Sequence, residues 1–209
     1  MIVKTKYSCN FTKKPRFKND IKIIIIHYTG MQSKIESVKR LLSKKHKVSC
    51  HYLIDRKGEV LQMVEDNKIA WHAGKSKWKN FKNINYNSIG IELVNKGHKF
   101  GYQSFTNPQI LSLIKLCKKL KKKYHISDSN IIGHSDIAPL RKQDPGEKFP
   151  WEKLNKNNLG IWYKPSKLKF FTNNLKNLNY PFFNNLHKIG YRYLNNNEKK
   201  KKICLIKAF

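Results

Sequence analysis

The chain has 209 residues, enough for one fair-sized domain and a small appendage. A hydrophobic fraction of 39% and an aromatic fraction of 12% exclude an intrinsically disordered chain. Lysine and arginine number 44 against 13 acidic residues, a formal net charge of +31. Such a charge would attract nucleic acid, an anionic membrane or an anionic cell-wall polymer. Because lysine is spread along the whole chain, we interpret most of this charge as a compositional bias.

The first 20 residues contain no apolar core, so we expect no signal peptide, and no later run is long enough to cross a membrane. The four cysteines lie far apart without a CxxC pair: Cys9, Cys50, Cys117 and Cys204. A reduced protein fits this spacing, although an even number leaves disulfides possible. We therefore expect a cytoplasmic protein, with exposure to the periplasm or the cell wall by another route as the alternative.

Strand and helix patterns alternate from the N-terminus onwards. The apolar run Ile21–Ile26 predicts a central strand buried on both faces, which places His27 at its carboxyl end. Ser33–Lys45 has the apolar spacing of a helix. The segments His51–Asp55 and Glu59–Val64 predict two strands joined by a tight turn.

The alternation continues through the middle of the chain. Ser88–Val94 predicts another strand, and Asn130–Gly133 a short one that leads into His134. Asn107–Tyr124 is the clearest helix, with Asn107 as its expected cap and a proline in its first turn. Interleaved strands and helices predict an α/β domain.

We place the end of this domain near residue 154, followed by a linker over residues 155–165 and a small helical module over residues 166–209. The module has apolar residues at helical spacing, which predicts two or three short helices. These residues are Leu168, Phe171, Leu175, Leu178, Leu186, Ile189, Ile203 and Ile206.

Five polar residues lie at the ends of apolar elements or within them: His27, Glu92, His134, Lys142 and Asp144. Two histidines and a carboxylate are a frequent ligand set for a catalytic zinc ion, which activates water and polarises a carbonyl group. The spacing alone leaves simpler explanations open. Each histidine is compatible with a structural role, Glu92 with a solvent-facing position on its strand, and Lys142 with an ordinary surface lysine.

Six sequence blocks in order narrow these alternatives: HYTGM (27–31), VSCHYLID (48–55), AWHAGKSKW (70–78), SIGIELVNKGH (88–98), GHSDIAP (133–139) and RKQDPGEKFPWEKL (141–154). Together they resemble the N-acetylmuramoyl-L-alanine amidase family, whose fold is shared with peptidoglycan recognition proteins. The likeness is greatest to its AmiD group, a relative of AmpD, and runs from about residue 10 to residue 162. It implies an α/β fold with a central mixed β-sheet flanked by helices.

The resemblance also implies the roles of individual residues. The zinc ligands of the family fall on His27, His134 and Asp144, one Zn²⁺ per chain. The acidic catalytic residue falls on Glu92 and the lysine that stabilises the oxyanion on Lys142. The implied reaction is hydrolysis of the amide bond between N-acetylmuramic acid and L-alanine in peptidoglycan or muropeptides, for cell-wall recycling or remodelling.

Three further residues in these blocks, His51, Trp71 and His72, are implied to bind substrate. The alternative for Trp71 is a place in the core, and for His51 that of a buried structural hydrogen-bonding group. The blocks LHKIGYRY (186–193) and LIKAF (205–209) resemble the peptidoglycan-binding-like helical module of AmiD-type enzymes. The last helix of that module would continue past Phe209, so we expect a shortened version. A helical cap that stabilises the catalytic domain is the alternative.

Two other functions are compatible with the sequence. A muropeptide-binding protein on the same fold would lack catalysis, and a phage-type lytic amidase would act on the intact wall. The charge alone would fit a nucleic-acid binder, but no recognisable nucleic-acid motif accompanies it, so we expect no specific nucleic-acid partner. The sequence leaves the oligomeric state open, with a monomer as the expectation.

Overall fold

The structure, a computed structural model, describes residues 2–162, 180–193 and 199–209. Six strands form a mixed sheet in the order β1-β5-β4-β7-β3-β8. They are β1 (Val3–Thr5), β3 (Ile23–Tyr28), β4 (Tyr52–Ile54), β5 (Val60–Gln62), β7 (Ser88–Leu93) and β8 (Ile131–Gly133). A separate antiparallel pair consists of β2 (Phe11–Thr12) and β6 (Ile69–Ala70).

Strand direction determines where the ends of the central strands meet. The neighbours β4, β7, β3 and β8 are parallel, whereas β5 is antiparallel to β4 and β1 runs parallel to β5. The carboxyl ends of the four parallel strands therefore share one edge of the sheet, the edge where α/β proteins place their ligands. This architecture confirms the predicted α/β class with a central mixed sheet.

The helices are α1 (Lys34–Leu42), α2 (Ile84–Asn87), α3 (Asn107–Tyr124), α4 (His134–Ile137), α5 (Trp151–Asn155), α6 (Tyr180–Ile189) and α7 (Lys199–Ala208). The predicted bounds of α3 are confirmed, but its cap is Thr106, whose side chain accepts a hydrogen bond from the Gln109 N–H. Helix α1 was predicted over Ser33–Lys45; it starts at Lys34, directly after its cap Ser33, and ends at Leu42.

The central strand β3 begins and ends two residues later than predicted. Its register continues past the apolar run because His27 pairs with Glu92 and Tyr28 pairs with Leu93 on β7. The predicted hairpin is confirmed as the antiparallel pair β4 and β5. The sequence did not predict β1, β2 and β6: β2 and β6 are only two residues long, and β1 has a single apolar residue and none that is buried.

One face of the sheet packs on α3. Alternate residues of β3 and β7, including Ile24, Ile26, Ile89 and Ile91, point to this side and are fully buried. They meet one stripe of α3: Ile110, Leu113, Ile114, Cys117 and Leu120. Leu159 belongs to the same core, so packed structure extends into the segment expected to be a linker.

The opposite face packs on the C-terminal helices. Ile23 and Ile25 of β3 lie in one cluster with Trp78 and with Leu186, Tyr191 and Leu205 from the α6 and α7 region. Of the apolar positions predicted for this region, Leu168, Phe171, Leu175 and Leu178 lie outside the described residues.

The four cysteines are free, and Cys50 and Cys117 are buried. Among residues 2–162, 180–193 and 199–209, no helix has the length and apolar character needed to cross a lipid bilayer.

Candidate metal centre and active-site cleft

A cleft of about 570 Å³ opens at the carboxyl edge of the parallel strands. Its lining includes all five residues singled out from the sequence: His27, Glu92, His134, Lys142 and Asp144. The chain separation between His27 and His134 gives no hint of this proximity. The sheet provides it, because β3 has β7 on one side and β8 on the other.

Strand register sets the level of each side chain. His27 pairs with Glu92, and Ile26 pairs with Gly133, the residue immediately before His134. A hydrogen bond holds the loop that carries Asp144 next to His134: the Ser135 N–H donates to the Asp144 carbonyl oxygen at 2.8 Å.

Three donor atoms converge in this cleft. His27 Nδ1 lies 2.9 Å from His134 Nδ1, and Asp144 Oδ2 lies 3.1 Å from the first and 3.0 Å from the second. All three residues are buried. Two imidazole nitrogens and one carboxylate oxygen, each able to offer one ligand atom, form a group that could hold a metal ion.

Metal binding needs neutral imidazoles and an ionised carboxylate, and the surroundings of His27 and Asp144 favour these forms. Burial, followed by the nearby charge of His134, lowers the pKa of His27 to about 4. Burial alone would raise the pKa of Asp144, but the neighbouring His134 and His27 rings hold it far below its ordinary value. At neutral pH, His27 and Asp144 are therefore in the forms that bind a cation.

The donor spacing also fits a small tetrahedral ion. Ligands at about 2.0–2.2 Å from a tetrahedral zinc ion stand roughly 3.3 Å or a little more from one another. The observed separations of 2.9–3.1 Å are a few tenths of an ångström shorter. A cation shared by the three atoms would offset the repulsion between their lone pairs, so the short separations and the donor chemistry both favour a metal site.

Glu92 extends from β7 into the same cleft. Its Oε2 atom is buried and has no hydrogen-bond partner within the described parts of the chain. Burial, followed by the charge of Asp144, raises the pKa of Glu92 to about 8. A carboxylate with an unpartnered oxygen and a pKa near neutrality is suited to accept and return a proton.

Lys142 lies on the cleft wall two residues before Asp144, at the end of a turn closed by its N–H bond to the Ala138 carbonyl. Its ammonium charge lowers the pKa of Glu92, against the effect of burial, and lowers the pKa of His27 in the same direction as burial. Three more basic residues line the cleft: Arg40, Lys99 and Arg141. The wall is therefore cationic and suited to a substrate that carries carboxylates.

His51 does not line the cleft. It is fully buried behind β7, where its Nδ1 accepts a hydrogen bond from the Gly90 N–H. Its Nε2 lies 2.7 Å from Arg16 Nη2 and 3.1 Å from the Lys68 carbonyl oxygen. This placement supports the alternative of a buried structural hydrogen-bonding residue over a substrate contact.

Trp71 and His72 do line the cleft. The Trp71 indole N–H donates a 2.8 Å hydrogen bond to Thr12 Oγ1. Trp71 is half-buried on the cleft wall. His72 Nδ1 lies 3.0 Å from His27 Nε2, and burial lowers the pKa of His72 well below its ordinary value.

The sequence did not identify two groups that touch the site. Ser88 Oγ lies 3.2 Å from His72 Nε2, and the Ala73 carbonyl oxygen lies 3.1 Å from His134 Nε2. A signal for the first was present, because Ser88, Gly90 and Glu92 alternate with buried isoleucines along β7. A backbone carbonyl leaves no signal in a sequence.

Comparison with known proteins identifies the family. The pattern of the N-acetylmuramoyl-L-alanine amidase family matches residues 17–147, which include His27, Glu92, His134 and Asp144. The chain belongs to this family.

Two curated relatives support the assignment. AmiD, an N-acetylmuramoyl-L-alanine amidase of Escherichia coli, is 37% identical over 163 residues, which are 72% of this chain and 58% of AmiD. The chain therefore spans less than two thirds of that relative. AmpD of Haemophilus influenzae, a 1,6-anhydro-N-acetylmuramyl-L-alanine amidase, is 35% identical over 164 residues, 70% of this chain and 86% of AmpD.

Solved structures agree with the fold. AmiD from E. coli, in complex with its substrate anhydro-N-acetylmuramic acid-L-Ala-D-γ-Glu-L-Lys, superposes with a TM-score of 0.76 at 32% identity, over 91% of this chain and 79% of AmiD. AmpDh3 from Pseudomonas aeruginosa, in complex with an anhydromuramic pentapeptide, gives a TM-score of 0.78 at 28% identity, over 95% of this chain and 84% of AmpDh3.

Proposed function

We propose that this protein is a zinc-dependent amidase that cleaves the amide bond between N-acetylmuramic acid and L-alanine in muropeptides or peptidoglycan. One observation carries the proposal. The unpartnered carboxylate oxygen of Glu92 and the ammonium group of Lys142 share a cleft with the convergent donors of His27, His134 and Asp144. A binding protein has no need of a buried carboxylate held ready to take a proton.

We assign the metal-binding role to His27 Nδ1, His134 Nδ1 and Asp144 Oδ2, with zinc as the ion. Members of this family are generally zinc-dependent. When bound, zinc supplies a Lewis acid that polarises the amide carbonyl and makes water a better nucleophile. Two neutral ligands and one anionic ligand keep the site cationic, which favours this chemistry.

The other two residues handle the proton and the developing charge. Glu92 accepts a proton from the attacking water and passes it to the amine nitrogen of L-alanine as the amide bond breaks. The Lys142 ammonium group stabilises the negative charge that develops on the carbonyl oxygen. The burial of Glu92 supports its part, because it brings the pKa close to neutrality, where a group can both take up and release a proton.

The cationic wall supports a muropeptide as substrate. Peptide stems carry carboxylates, and Arg40, Lys99 and Arg141 offer them positive partners along the cleft. Trp71 provides an aromatic surface on the same wall for an apolar face of the sugar or the stem. AmiD and AmpDh3 have been solved with anhydromuropeptides, which makes this substrate class the first to test.

For the domain organisation, we propose a catalytic domain over residues 1–154, a connecting segment over 155–165 and a helical module over 166–209. The contacts of Leu186, Tyr191 and Leu205 with the second face of the sheet favour a cap that stabilises the catalytic domain. A wall-binding role for this module is the alternative, and a pull-down on purified sacculi with the catalytic cleft inactivated would detect it.

The deciding experiment is hydrolysis by the zinc-loaded protein of a soluble anhydro-muropeptide and, in parallel, of intact sacculi. We expect release of the stem peptide with a free L-alanine amine, detected by mass spectrometry. Turnover of the soluble fragment supports recycling, and turnover of sacculi alone would support the lytic alternative. Binding of the muropeptide without release of peptide would instead identify a non-catalytic recognition protein.

A further inference from the structure

His72 lies directly behind His27, on the side away from the other metal-binding donors. Its Nδ1 is 3.0 Å from His27 Nε2, and the two rings meet edge to face with centroids 5.1 Å apart. The other nitrogen of His27, Nδ1, is the one that faces His134 and Asp144. His72 therefore contacts Nε2 of His27, the ring nitrogen that faces away from the proposed metal site.

Ser88 determines which nitrogen of His72 carries the proton. Ser88 Oγ lies 2.5 Å from the Ile84 carbonyl oxygen and 3.2 Å from His72 Nε2. A hydroxyl has one hydrogen, and the shorter contact is to a carbonyl that can only accept it. The oxygen of Ser88 must then accept from His72, so the proton of a neutral His72 is on Nε2 and its Nδ1 has a lone pair.

The tautomer of His72 in turn determines that of His27. Because His72 Nδ1 accepts, the hydrogen bond between the rings requires a proton on His27 Nε2. His27 Nδ1 is then left with a lone pair directed at His134 and Asp144. The carbonyl oxygen of Ala73, the next residue, fixes the tautomer of His134 in the same way. It accepts a hydrogen bond from His134 Nε2 at 3.1 Å, so the lone pair of His134 is on Nδ1.

The fold holds His72 in this position from two sides. Asn85 Oδ1 accepts hydrogen bonds from the backbone N–H groups of His72 and Ala73, at 3.2 and 2.8 Å. On the other side the imidazole lies against Gly90 of β7, where a Cβ atom would come within 2.4 Å of His72 Cγ. A side chain at position 90 would therefore push the ring away from His27.

We infer that His72 is a positioning residue: through the hydrogen-bonded chain Ser88–His72–His27, it selects the tautomer of His27 that can bind the metal. This inference rests on the proposed zinc site. It assigns His72 a role distinct from contact with substrate, since both of its ring nitrogens are engaged within the protein. Partners of this kind typically change metal affinity by about 10–100-fold when they are removed.

The first test is the tautomer of His72 in the zinc-loaded, full-length protein, read from long-range ¹H–¹⁵N correlations of its imidazole ring. We expect the proton on Nε2. A proton on Nδ1 would overturn the inference, and this measurement needs no variant.

The second test is zinc affinity, measured by competition with a chromophoric chelator. His72→Leu should weaken zinc binding by about 10–100-fold, because it removes the acceptor for His27. His72→Asn should recover much of the affinity, because its Oδ1 stands where Nδ1 stood, and Ser88→Ala should give a smaller loss than His72→Leu. Unchanged zinc affinity in a folded His72→Leu protein would refute the inference.

His98→Ala is the matched control. His98 lines the same cleft, but its ring contacts Tyr28 and Glu147 and not the metal-binding residues. Its loss should leave zinc affinity unchanged, and an equal loss in this variant would reduce the role of His72 to general packing. If the wild-type protein itself binds no zinc, the proposed metal site fails, which is a different result from unchanged binding in His72→Leu.

Discussion

The two faces of the central sheet differ in chemistry although the same strands build them. On the α3 side, β3 and β7 present Ile24, Ile26, Ile89 and Ile91, which close a dry core. On the other side, Ile23 and Ile25 pack on the C-terminal helices, and His27 and Glu92 follow at the carboxyl ends of the two strands. Because successive side chains of a strand point to opposite faces, one strand contributes both to the α3 core and to the cleft.

Mutations in these two regions should therefore have different effects. A change on the α3 face should alter the free energy of unfolding and leave zinc binding intact. A change at the carboxyl end of the other face, where His27 and Glu92 lie, should alter zinc binding or turnover at little cost in folding. The four expectations below test this separation, beginning with the largest effect.

Replacing a metal-binding residue should have the greatest consequence. His134→Ala and Asp144→Ala should each lose zinc and amidase activity together, by more than the 10–100-fold typical for removing a partner of a ligand. Zinc content by elemental analysis and peptide release from an anhydro-muropeptide would measure both effects. Full zinc content in either folded variant would remove that residue from the ligand set.

Glu92→Gln should separate catalysis from metal binding on the same face. The amide cannot accept a proton from water, so turnover should fall by about 10²–10⁴-fold. Zinc content should stay at the wild-type level because Glu92 is not among the three convergent donors. An unchanged rate constant kcat would exclude Glu92 as the proton carrier.

Leu113→Ala should act only through the α3 face. Leu113 is fully buried in the main core, so its truncation should destabilise the protein by about 2–5 kcal/mol. Leu111→Ala, on the exposed side of the same helix at 44% exposure, is the control and should change stability by no more than about 0.5 kcal/mol. Chemical denaturation would measure both, and loss of zinc affinity in folded Leu113→Ala would contradict the separation of the two faces.

The smallest effect concerns Asp66, which ties the end of α3 to the sheet. Its carboxylate accepts hydrogen bonds from Tyr52, Lys123 and Tyr124. Burial alone would raise the pKa of Asp66, but these hydrogen bonds hold it below its ordinary value. A lowered pKa in the folded state stabilises the protein above the unfolded pKa of about 3.9, and this contribution is lost as the pH falls through the folded value.

Asp66→Asn should therefore be less stable than the wild type at neutral pH, and the difference should shrink as the pH falls below about 4. Denaturation of the zinc-free proteins between pH 7 and pH 3 would measure it, since contributions shared by the two proteins cancel in the difference. A gap that stays constant over this range would show that Asp66 contributes through shape and not through charge.

Much of the fold could be read from periodicity. The 18 residues of α3 and the pairing of β4 with β5 follow from apolar spacing and from the turn between the two strands. The two-residue strands β2 and β6 could not be predicted, because two positions show no period. The cap of α3 was misplaced by one residue, since Thr106 and Asn107 are both suitable capping residues and only the backbone path distinguishes them.

The candidate site could also be predicted only in part. The residue types and the ordered blocks were sufficient to single out His27, Glu92, His134, Lys142 and Asp144, because side-chain chemistry is written directly in the sequence. Only the tertiary structure decided that His27 and His134 direct the same ring nitrogen at Asp144, that Ser88 and His72 stand behind His27, and that His51 is buried away from the cleft. The reason is physical: the orientation of an imidazole depends on its hydrogen-bond partners, and strand pairing brings those partners from distant parts of the chain.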